Sequence, residues 1–392
     1  MHYTVTRSAV QQHAAGLLRG CLRLKDFSPS CTAGVFLHVL FTACSRLCSL
    51  SAACLFLATA PSRETIRQAS LKALQSRDEL LRRLNRALTV EVPRALRKRP
   101  QQVAADLVLI PYHGRPMLDL CEVFRSAARS GTSHFHAYAT CYVNYRGQRF
   151  TLALTYVERG EKLQEVLKRL LRRISALGIR VRLLLLDRGF WSVAVIRYLQ
   201  LARYPFLMPV VLRGREDGHP RGPSGTRGFA ARKRGGWDEY TVTAGDGQKA
   251  RVSICVHCRN YNGQWGRHGR QALVYAFWGL EPSSTRWVKE TYRKRFAIEA
   301  SYRQLHQGRA RTSTRDPLVR LLLVGVALVL RNVWVWLHYA VLSTPRRGNR
   351  RYNLDRLPLK GMLLWLQHQA EEELGRREEV FSERPMPQRI TA

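Results

Sequence analysis

The chain has 392 residues, of which 45% are apolar, so it can bury a core and form two or three domains. Lysine and arginine total 65 against 28 acidic residues, which leaves a formal net charge of +37. Because such an excess repels itself in a compact fold, the charge argues against a protein that works without a polyanionic partner. Nucleic acid is the first candidate for that partner, and an anionic membrane surface is the second.

Residues 1–100 are predicted to form an all-helical DNA-binding region. Residues 49–74 contain a helix of small residues, a break at 59–61 and a second helix, which is the arrangement of a helix-turn-helix. In that interpretation Arg63 and Arg67 lie on the outer face of the second helix and contact DNA. An ordinary helical hairpin also explains the pattern.

Two apolar stretches have the composition of membrane spans. Residues 34–58 are interrupted by Arg46, and residues 321–342 carry Arg331 at their middle, where a bilayer would impose a large free-energy cost. The uninterrupted apolar run of the second stretch is also too short to span. We therefore predict two buried helices and no membrane association.

From Gln101 onward the spacing of apolar residues changes from the helical period to the strand period. The pattern predicts a strand at 103–114 and then a two-stranded hairpin at 133–145 and 148–158. A helix at 161–178, a strand at 181–190, a helix at 192–202 and a strand at 204–212 follow. Three antiparallel strands followed by helix-linked parallel strands are the plan of a ribonuclease H-like core. The sequence therefore predicts the α/β class.

A Gly-rich, basic stretch with short alternating runs follows this core and predicts a β-rich insertion. After the helical region, residues 101–212 are predicted to form the first part of the core and residues 213–286 the insertion. Residues 287–342 are predicted to form the returning core helices, and residues 343–392 a basic C-terminal tail.

The nine cysteines follow no secretory signal, which predicts a reducing cytoplasm. Cys255 and Cys258 form one C-x-x-C, with His257 and His268 nearby, but no second pair follows. One pair is a weak zinc signal, and a strand end that carries two cysteines is the simpler interpretation.

Two aspartates lie on predicted strands. Asp106 is within the first strand, and Asp187 follows four leucines at the end of the central one. An unpaired carboxylate beside such an apolar strand is costly, and Gly189 permits the close approach of a ligand, so a functional role is indicated. A cap for the next helix, or an ion pair with Arg188, is the structural alternative.

The third acidic candidate is Glu299, the lone acid in the basic stretch 292–304. In a helix it would share one stripe with four other functional candidates, which are Tyr292, Arg295, Arg303 and His306. The two arginines, one turn to either side, would keep Glu299 ionised and neutralise nearby phosphates. An i,i+4 salt-bridge ladder is the alternative.

Three carboxylates in a basic setting are suited to two-metal phosphoryl transfer, in which two Mg²⁺ ions roughly 4 Å apart activate the attacking oxygen and stabilise the leaving one. Mg²⁺ prefers hard oxygen ligands and shares its shell with phosphate and water; Mn²⁺ can substitute. We therefore predict Asp106, Asp187 and Glu299 as catalytic residues and metal ligands.

The combination Tyr292-x-x-Arg295-x-x-x-Glu299 resembles the Y-(2)-R-(3)-E signature of DDE transposases in the insertion-sequence-four group, particularly its haloarchaeal-type branch. The segments around Asp106 (DLVLIPYHG) and Asp187 (LLLLDRGF) resemble the first and second acid motifs of that family. The resemblance covers about residues 35–342.

One position departs from the broader group, which has a lysine seven residues after the glutamate, where this chain has His306. Arg303, four residues after the glutamate, matches the E-(3)-R variant of some branches. Which basic residue contacts the DNA end therefore stays open.

The resemblance implies a prokaryotic, nucleoid-associated enzyme that binds double-stranded DNA at the terminal inverted repeats of its own mobile element. Water would cut at the element's end, and the freed 3′-hydroxyl would attack target DNA, with a homodimer in the synaptic complex. Tyr292 and Arg295 would position the backbone near the scissile phosphate.

Two further groups of residues are candidates for DNA contact. Arg309, Arg311 and Arg315 lie in a segment that would contact phosphates, or would form a solvated loop. Trp265 or Trp278 would stack on a displaced base, although most tryptophans are core residues.

Three alternative functions remain open at this point. They are a catalytically inactive DNA-binding protein derived from such an element, a structure-selective nuclease of the same fold that lacks strand transfer, and a basic membrane protein. The charged residue within each apolar run argues against the last.

Overall fold

The computed structural model describes residues 4–379 apart from 73, 75, 217, 264–267 and 348, and within that range it gives the side chains of all but 268, 296–301 and 349. The chain divides into two compact units, one formed by residues 1–87 with 304–392 and the other by 88–303. The helices are α1 (Arg7–Leu22), α2 (Ala33–Arg46), α3 (Leu50–Ala53), α4 (Arg63–Lys72), α5 (Arg77–Thr89), α6 (Leu163–Ala176), α7 (Val193–Leu201), α8 (Arg227–Ala230), α9 (Thr285–Arg293), α10 (Ala297–Gly308), α11 (Pro317–Trp336) and α12 (Leu359–Leu374). The strands are β1 (Gln101–Pro111), β2 (Phe124–Arg129), β3 (Thr132–Tyr145), β4 (Gln148–Val157), β5 (Val181–Leu186), β6 (Phe206–Pro209), β7 (Gly236–Thr243), β8 (Lys249–Asn262), β9 (His268–Trp278), β10 (Thr344–Arg346) and β11 (Asn349–Arg351).

The first unit packs N-terminal helices against the last one, since α12 contacts both α1 and α2. Beyond α12, the amides of Ala58 and Thr59 donate hydrogen bonds to the carbonyls of Gly375 and Leu374, both at 2.9 Å. The amide of Arg377 also donates to the carbonyl of Phe56 at 3.1 Å, so the segment that the sequence sets apart as a tail is built into the helical unit as far as residue 377.

The predicted helix-turn-helix differs in its first helix. α3 has four residues and continues as a single 3₁₀ turn over Cys54–Phe56, so it is shorter than the sequence suggests. The second helix, α4, begins at Arg63, one residue after the predicted start.

The most apolar helix, α11, continues through a π-helical turn to Leu342. Together they span 26 residues, long and apolar enough to cross a membrane, and an 18-residue window within them has a mean hydropathy of 2.0 and is 94% buried inside the protein. The α2 helix and residues 50–56 would pass the same test only as one span bent by 100°. A buried core helix also passes it, and Arg331, which is 1% exposed, donates from Nε to Gln304 at 3.0 Å.

Close packing between α5 and α11 depends on Gly325. A Cβ atom at this position would lie 2.4 Å from Cδ1 of the fully buried Leu84. We expect Gly325→Ala to lower the free energy of unfolding by about 1–3 kcal/mol, because an overpacked core must shift. Urea denaturation measures the effect.

Gly16, in the middle of α1, is the matched control because, apart from its neighbours and the backbone of its own helix, no atom lies within 4 Å of its Cβ position. Gly16→Ala should leave stability unchanged or raise it by up to about 1 kcal/mol, as alanine favours helix. Equal effects of the two substitutions would contradict the packing argument.

The second unit is built on a nine-stranded mixed sheet with the order β2-β3-β1-β5-β6-β9-β8-β7, in which β4 also pairs with β3. β1, β5 and β6 are parallel, while β3 and β4 are antiparallel. The strands β4-β3-β1-β5-β6 thus have the order expected of a ribonuclease H-like core, with α6 packed on β3 and β4. β2 was not predicted; it forms a short hairpin with β3 through Ser130 and Gly131, both at positive φ.

The β-rich insertion extends the core sheet. β9 pairs antiparallel with β6, from Phe206 opposite Trp278 to Pro209 opposite Tyr275, and β8 and β7 follow outward. The main-chain groups on this side of β6 are therefore paired within the protein, so β6 is not the sheet's edge.

The predicted continuous helix through residues 292–306 is wrong, because α9 and α10 are separated by a 3₁₀ turn over Lys294–Phe296. The single hydroxyl proton of Tyr142, on β3, is shared between the carbonyls of Lys294 at 3.1 Å and Arg295 at 3.0 Å. These bonds satisfy main-chain acceptors at the break, which stabilises the change of helix type.

Candidate active site

Two carboxylates meet at the centre of the core sheet. In the parallel pairing of β1 with β5, Ala105 lies opposite Leu186, so the next residues, Asp106 and Asp187, are neighbours. Asp106 is 8% exposed, whereas the side chain of Asp187 at the strand's end is 40% exposed. The two predicted catalytic aspartates are thus brought together, one buried and one open to solvent.

The guanidinium of Arg295 lies against both aspartates. Its Nη2 donates to Oδ2 of Asp106 at 2.7 Å and lies 3.5 Å from Oδ1 of Asp187. Arg295 is 5% exposed, and its buried Nε has no acceptor among the described residues. The sequence placed Arg295 beside Glu299, so its pairing with the aspartates was missed; its predicted contact with DNA stays a prediction.

Burial determines the protonation behaviour of Asp106. It raises the pKa of this carboxyl to about 6, and the Asp187 charge adds to the rise, while Arg295 and the amide of Leu107 oppose it. Burial alone would lower the pKa of Arg295, but the Asp106 carboxylate and its neighbours raise it. A second cation near these carboxylates would favour the ionised form of Asp106 further.

The raised pKa of Asp106 predicts a pH dependence of stability. Since the folded pKa exceeds the unfolded value, ionising Asp106 costs folding free energy as pH rises from about 4 through about 6. Relative to Asp106→Asn, the wild-type protein should lose up to about 3 kcal/mol of unfolding free energy across that window. Urea denaturation from the lowest pH at which both proteins unfold cooperatively up to pH 7 tests this; a constant difference would contradict it.

Buried tyrosines surround the carboxylates. Tyr292, 3% exposed, packs its ring centroid 5.2 Å from that of Tyr275, and the Arg295 guanidinium carbon lies 5.9 Å from the Tyr292 ring. The hydroxyls of Tyr302 and Thr140 hydrogen-bond at 3.0 Å. Burial raises the pKa values of Tyr292 and Tyr302, so both stay neutral. Tyr292 therefore supports Arg295 from within the core, and its predicted contact with DNA is untested.

The third predicted acid, Glu299, is described by its backbone alone. That backbone lies in the first turn of α10, and the side chain is outside the described residues. Among the side chains that are described, no group of three or more His, Cys, Asp or Glu residues is placed to hold a metal ion. The two aspartates nevertheless offer hard oxygen donors around a position that already carries a cationic nitrogen, which fits a divalent ion.

The other predicted contacts are distributed over surfaces. Arg303 and His306 are exposed on α10, Arg311 and Arg315 are exposed in the segment between α10 and α11, and Arg309 there is half-buried. On α4, Arg63 is exposed, and Arg67 pairs with Glu64 through Nε at 2.7 Å and Nη2 at 2.5 Å. Trp278 ends β9, and Trp265 lies outside the described residues.

The C-x-x-C pair behaves as two strand residues. Cys255 is fully buried on β8, and the thiol of Cys258 contacts the carbonyl of Arg232 at 3.6 Å. Residues three apart on a strand point to opposite faces, so the two thiols diverge. His257 hydrogen-bonds Thr285 at 3.2 Å, and the His268 side chain is outside the described residues.

A family model described as "Transposase DDE domain" matches residues 128–332. The match includes Asp187, Arg295 and Glu299, and Asp106 precedes it. The fold is similar to that of a piggyBac transposase in a synaptic complex with hairpin DNA, with a TM-score of 0.53 and 11% identity over 95% of this chain and 81% of the other. No curated protein gives a match.

Because the family model covers more than half of the chain, the protein belongs to the transposase DDE domain family. It is accordingly a DDE transposase, an enzyme of DNA transposition. DDE transposase domains generally use divalent metal ions.

Proposed function

We propose that this transposase belongs to the insertion-sequence-four group, in its haloarchaeal-type branch, and that it cuts and joins DNA at the inverted repeats of its own element. The observation that carries the proposal is the meeting of Asp106 and Asp187 around one cationic nitrogen, at the C-terminal end of the central strand. The Y-(2)-R-(3)-E spacing of Tyr292, Arg295 and Glu299 supports the group.

The site residues would divide the work as follows. Asp106, Asp187 and Glu299 would hold two Mg²⁺ ions, which when bound activate the attacking oxygen and stabilise the leaving one. Arg295 balances the charge of the aspartates and fixes their orientation, and the tyrosines around it exclude water. The backbone of Glu299 lies at the start of α10, just after the break that Tyr142 stabilises.

Double-stranded DNA is the proposed partner. The net charge of +37 supports it, as does the hairpin DNA of the similar piggyBac synaptic complex. Arg303, His306 and the segment with Arg309, Arg311 and Arg315 would contact phosphates, and the helical region with Arg63 and Arg67 would bind the inverted repeats. A homodimer in the synaptic complex and a cytoplasmic, nucleoid-associated location complete the proposal.

The test uses DNA from the borders of the reading frame. Purified protein is incubated with end-labelled duplexes that carry the flanking inverted repeats, or shuffled repeats, with Mg²⁺, with Mn²⁺ or with chelator. We expect cleavage at the repeat boundary and joining to a target plasmid, both dependent on the metal and on the repeat sequence. Tight repeat-specific binding without cleavage would identify an inactive DNA-binding protein, and cleavage without joining would identify a nuclease.

A further inference from the structure

The loop between β1 and β2 displays large apolar side chains to solvent. Met117 is 47% exposed, Leu118 is 84% exposed and Leu120 is 65% exposed. The other exposed large apolar side chains of the described chain stand singly along the sequence. A cluster of this kind usually marks an interaction site.

Hydrogen bonds hold this loop in shape. The Glu122 carboxylate accepts from the amides of Met117 at 2.9 Å and Leu118 at 3.2 Å, and Asp119 accepts from the amide of Cys121 at 2.9 Å. At the start of the loop, the hydroxyl of Tyr112 donates to the carbonyl of Arg115 at 2.5 Å. The apolar side chains are therefore presented by an ordered backbone, so little conformational entropy is lost when they bind.

The loop also follows the C-terminal end of β1, at the same end of the sheet as the candidate active site. It follows β1, which ends at Pro111, five residues beyond Asp106, and β5 runs parallel to β1 and ends beside Asp187. Exposed arginines accompany the apolar residues, with Arg115 in the loop and Arg125 and Arg129 on β2. The loop's acids, Asp119 and Glu122, accept hydrogen bonds from loop amides, so an apolar tip flanked by arginines fits a ligand that has an anionic backbone and flat apolar faces.

We propose that residues 115–121 form a wedge that inserts Leu118 between the bases of DNA next to the cleavage site. The inference rests on the proposed DNA-cutting function and assigns a separate surface to it. Apolar wedges unstack base steps at a cost of a few kcal/mol and are repaid by closer contact with the deformed duplex. Three side chains are too few for the roughly 800 Å² per partner that a stable protein dimer buries, so DNA is the occupant that fits.

The rate at which the Cys121 thiol is alkylated measures the exposure of the loop in the unsubstituted protein. It is exposed, whereas the other eight cysteines are buried or half-buried. The Asp119 side chain raises the pKa of its thiol, so alkylation is run at mildly alkaline pH and read by mass spectrometry of the Cys121 peptide. Inverted-repeat DNA, added without divalent ions, should slow Cys121 alkylation at least about fivefold under conditions where anisotropy shows binding, because bound DNA would cover the loop.

Three outcomes would overturn the wedge. Bound DNA that leaves the Cys121 rate unchanged excludes insertion at this loop. Protection that grows with protein concentration alone assigns the loop to a second copy of the chain. A protein that binds no DNA removes the proposed function and the wedge together, so the failures are distinguishable.

A second experiment uses Leu118→Ser with Leu201→Ser as the matched control, since Leu201 is 81% exposed on α7 in the same unit. On fully paired DNA, Leu118→Ser should cleave at least about tenfold more slowly than the control, and a mismatch at the cleavage site should restore the rate, because an unpaired base is already unstacked. Equal rates for both variants on paired DNA, or no rescue by the mismatch, would overturn the proposal.

Discussion

Replacing Asp106 or Asp187 by Asn is expected to lower the rate of metal-dependent DNA cleavage by at least about a thousandfold. Each substitution removes an anionic oxygen from the site that would hold the metal ions, which supply several kcal/mol of transition-state stabilisation, and each 1.36 kcal/mol is tenfold in rate. Asn preserves the shape of the side chain, so DNA affinity should change little. Single-turnover cleavage and anisotropy on the same protein samples measure both quantities.

Asp246→Asn is the control for this series, because Asp246 is an exposed acid in the turn between β7 and β8. It should cleave like the wild-type protein. Glu299→Gln belongs in the same series and tests the third acid directly. Any of the three variants that retained full cleavage would remove that residue from the catalytic set.

Removing Arg295 is expected to destabilise the protein by about 3–5 kcal/mol at neutral pH. Its guanidinium is the ion-pair partner of the buried Asp106 carboxylate, and breaking a buried pair by deleting one partner leaves an uncompensated charge. The loss should shrink at low pH, where Asp106 takes up a proton. Urea denaturation of Arg295→Ala at neutral and acidic pH measures the effect.

Two companion variants make this result interpretable. Arg182→Ala removes an exposed arginine on β5 and should change stability by no more than about 0.5 kcal/mol. In Asp106→Asn/Arg295→Ala the buried charge is absent, so the double variant should be more stable than Arg295→Ala alone. An Arg295→Ala protein as stable as Arg182→Ala would show that the ion pair contributes nothing.

The parts of the site that could be predicted are those that depend on local sequence patterns. Asp187 follows four leucines of a buried strand, and Asp106 sits in an apolar strand that must pair nearby, so their meeting follows from the plan of the core. The pairing of Arg295 with them could not be predicted, because helical spacing placed it beside Glu299. The break that redirects Arg295 depends on Tyr142, about 150 residues earlier in the chain.

The same distinction applies to the fold. The hairpin of β3 and β4, the helix α6 and the strand β5 have regular periods and were predicted closely. β2 was missed because the segment Phe124–Arg129 lacks the alternation and β-branched residues of a strand. The attachment of the insertion to β6 is a main-chain pairing between strands about 70 residues apart, and side-chain patterns carry no information about it.

The antiparallel pairing of β6 with β9 limits how this enzyme can be shortened. The insertion cannot be deleted to leave a minimal nuclease, since its removal would take the hydrogen-bonding partner from β6 and expose Leu207, which shares a buried cluster with Tyr275 and Phe277. An exposed edge strand of this kind pairs with strands of other chains, so we expect the shortened protein to aggregate and lose activity.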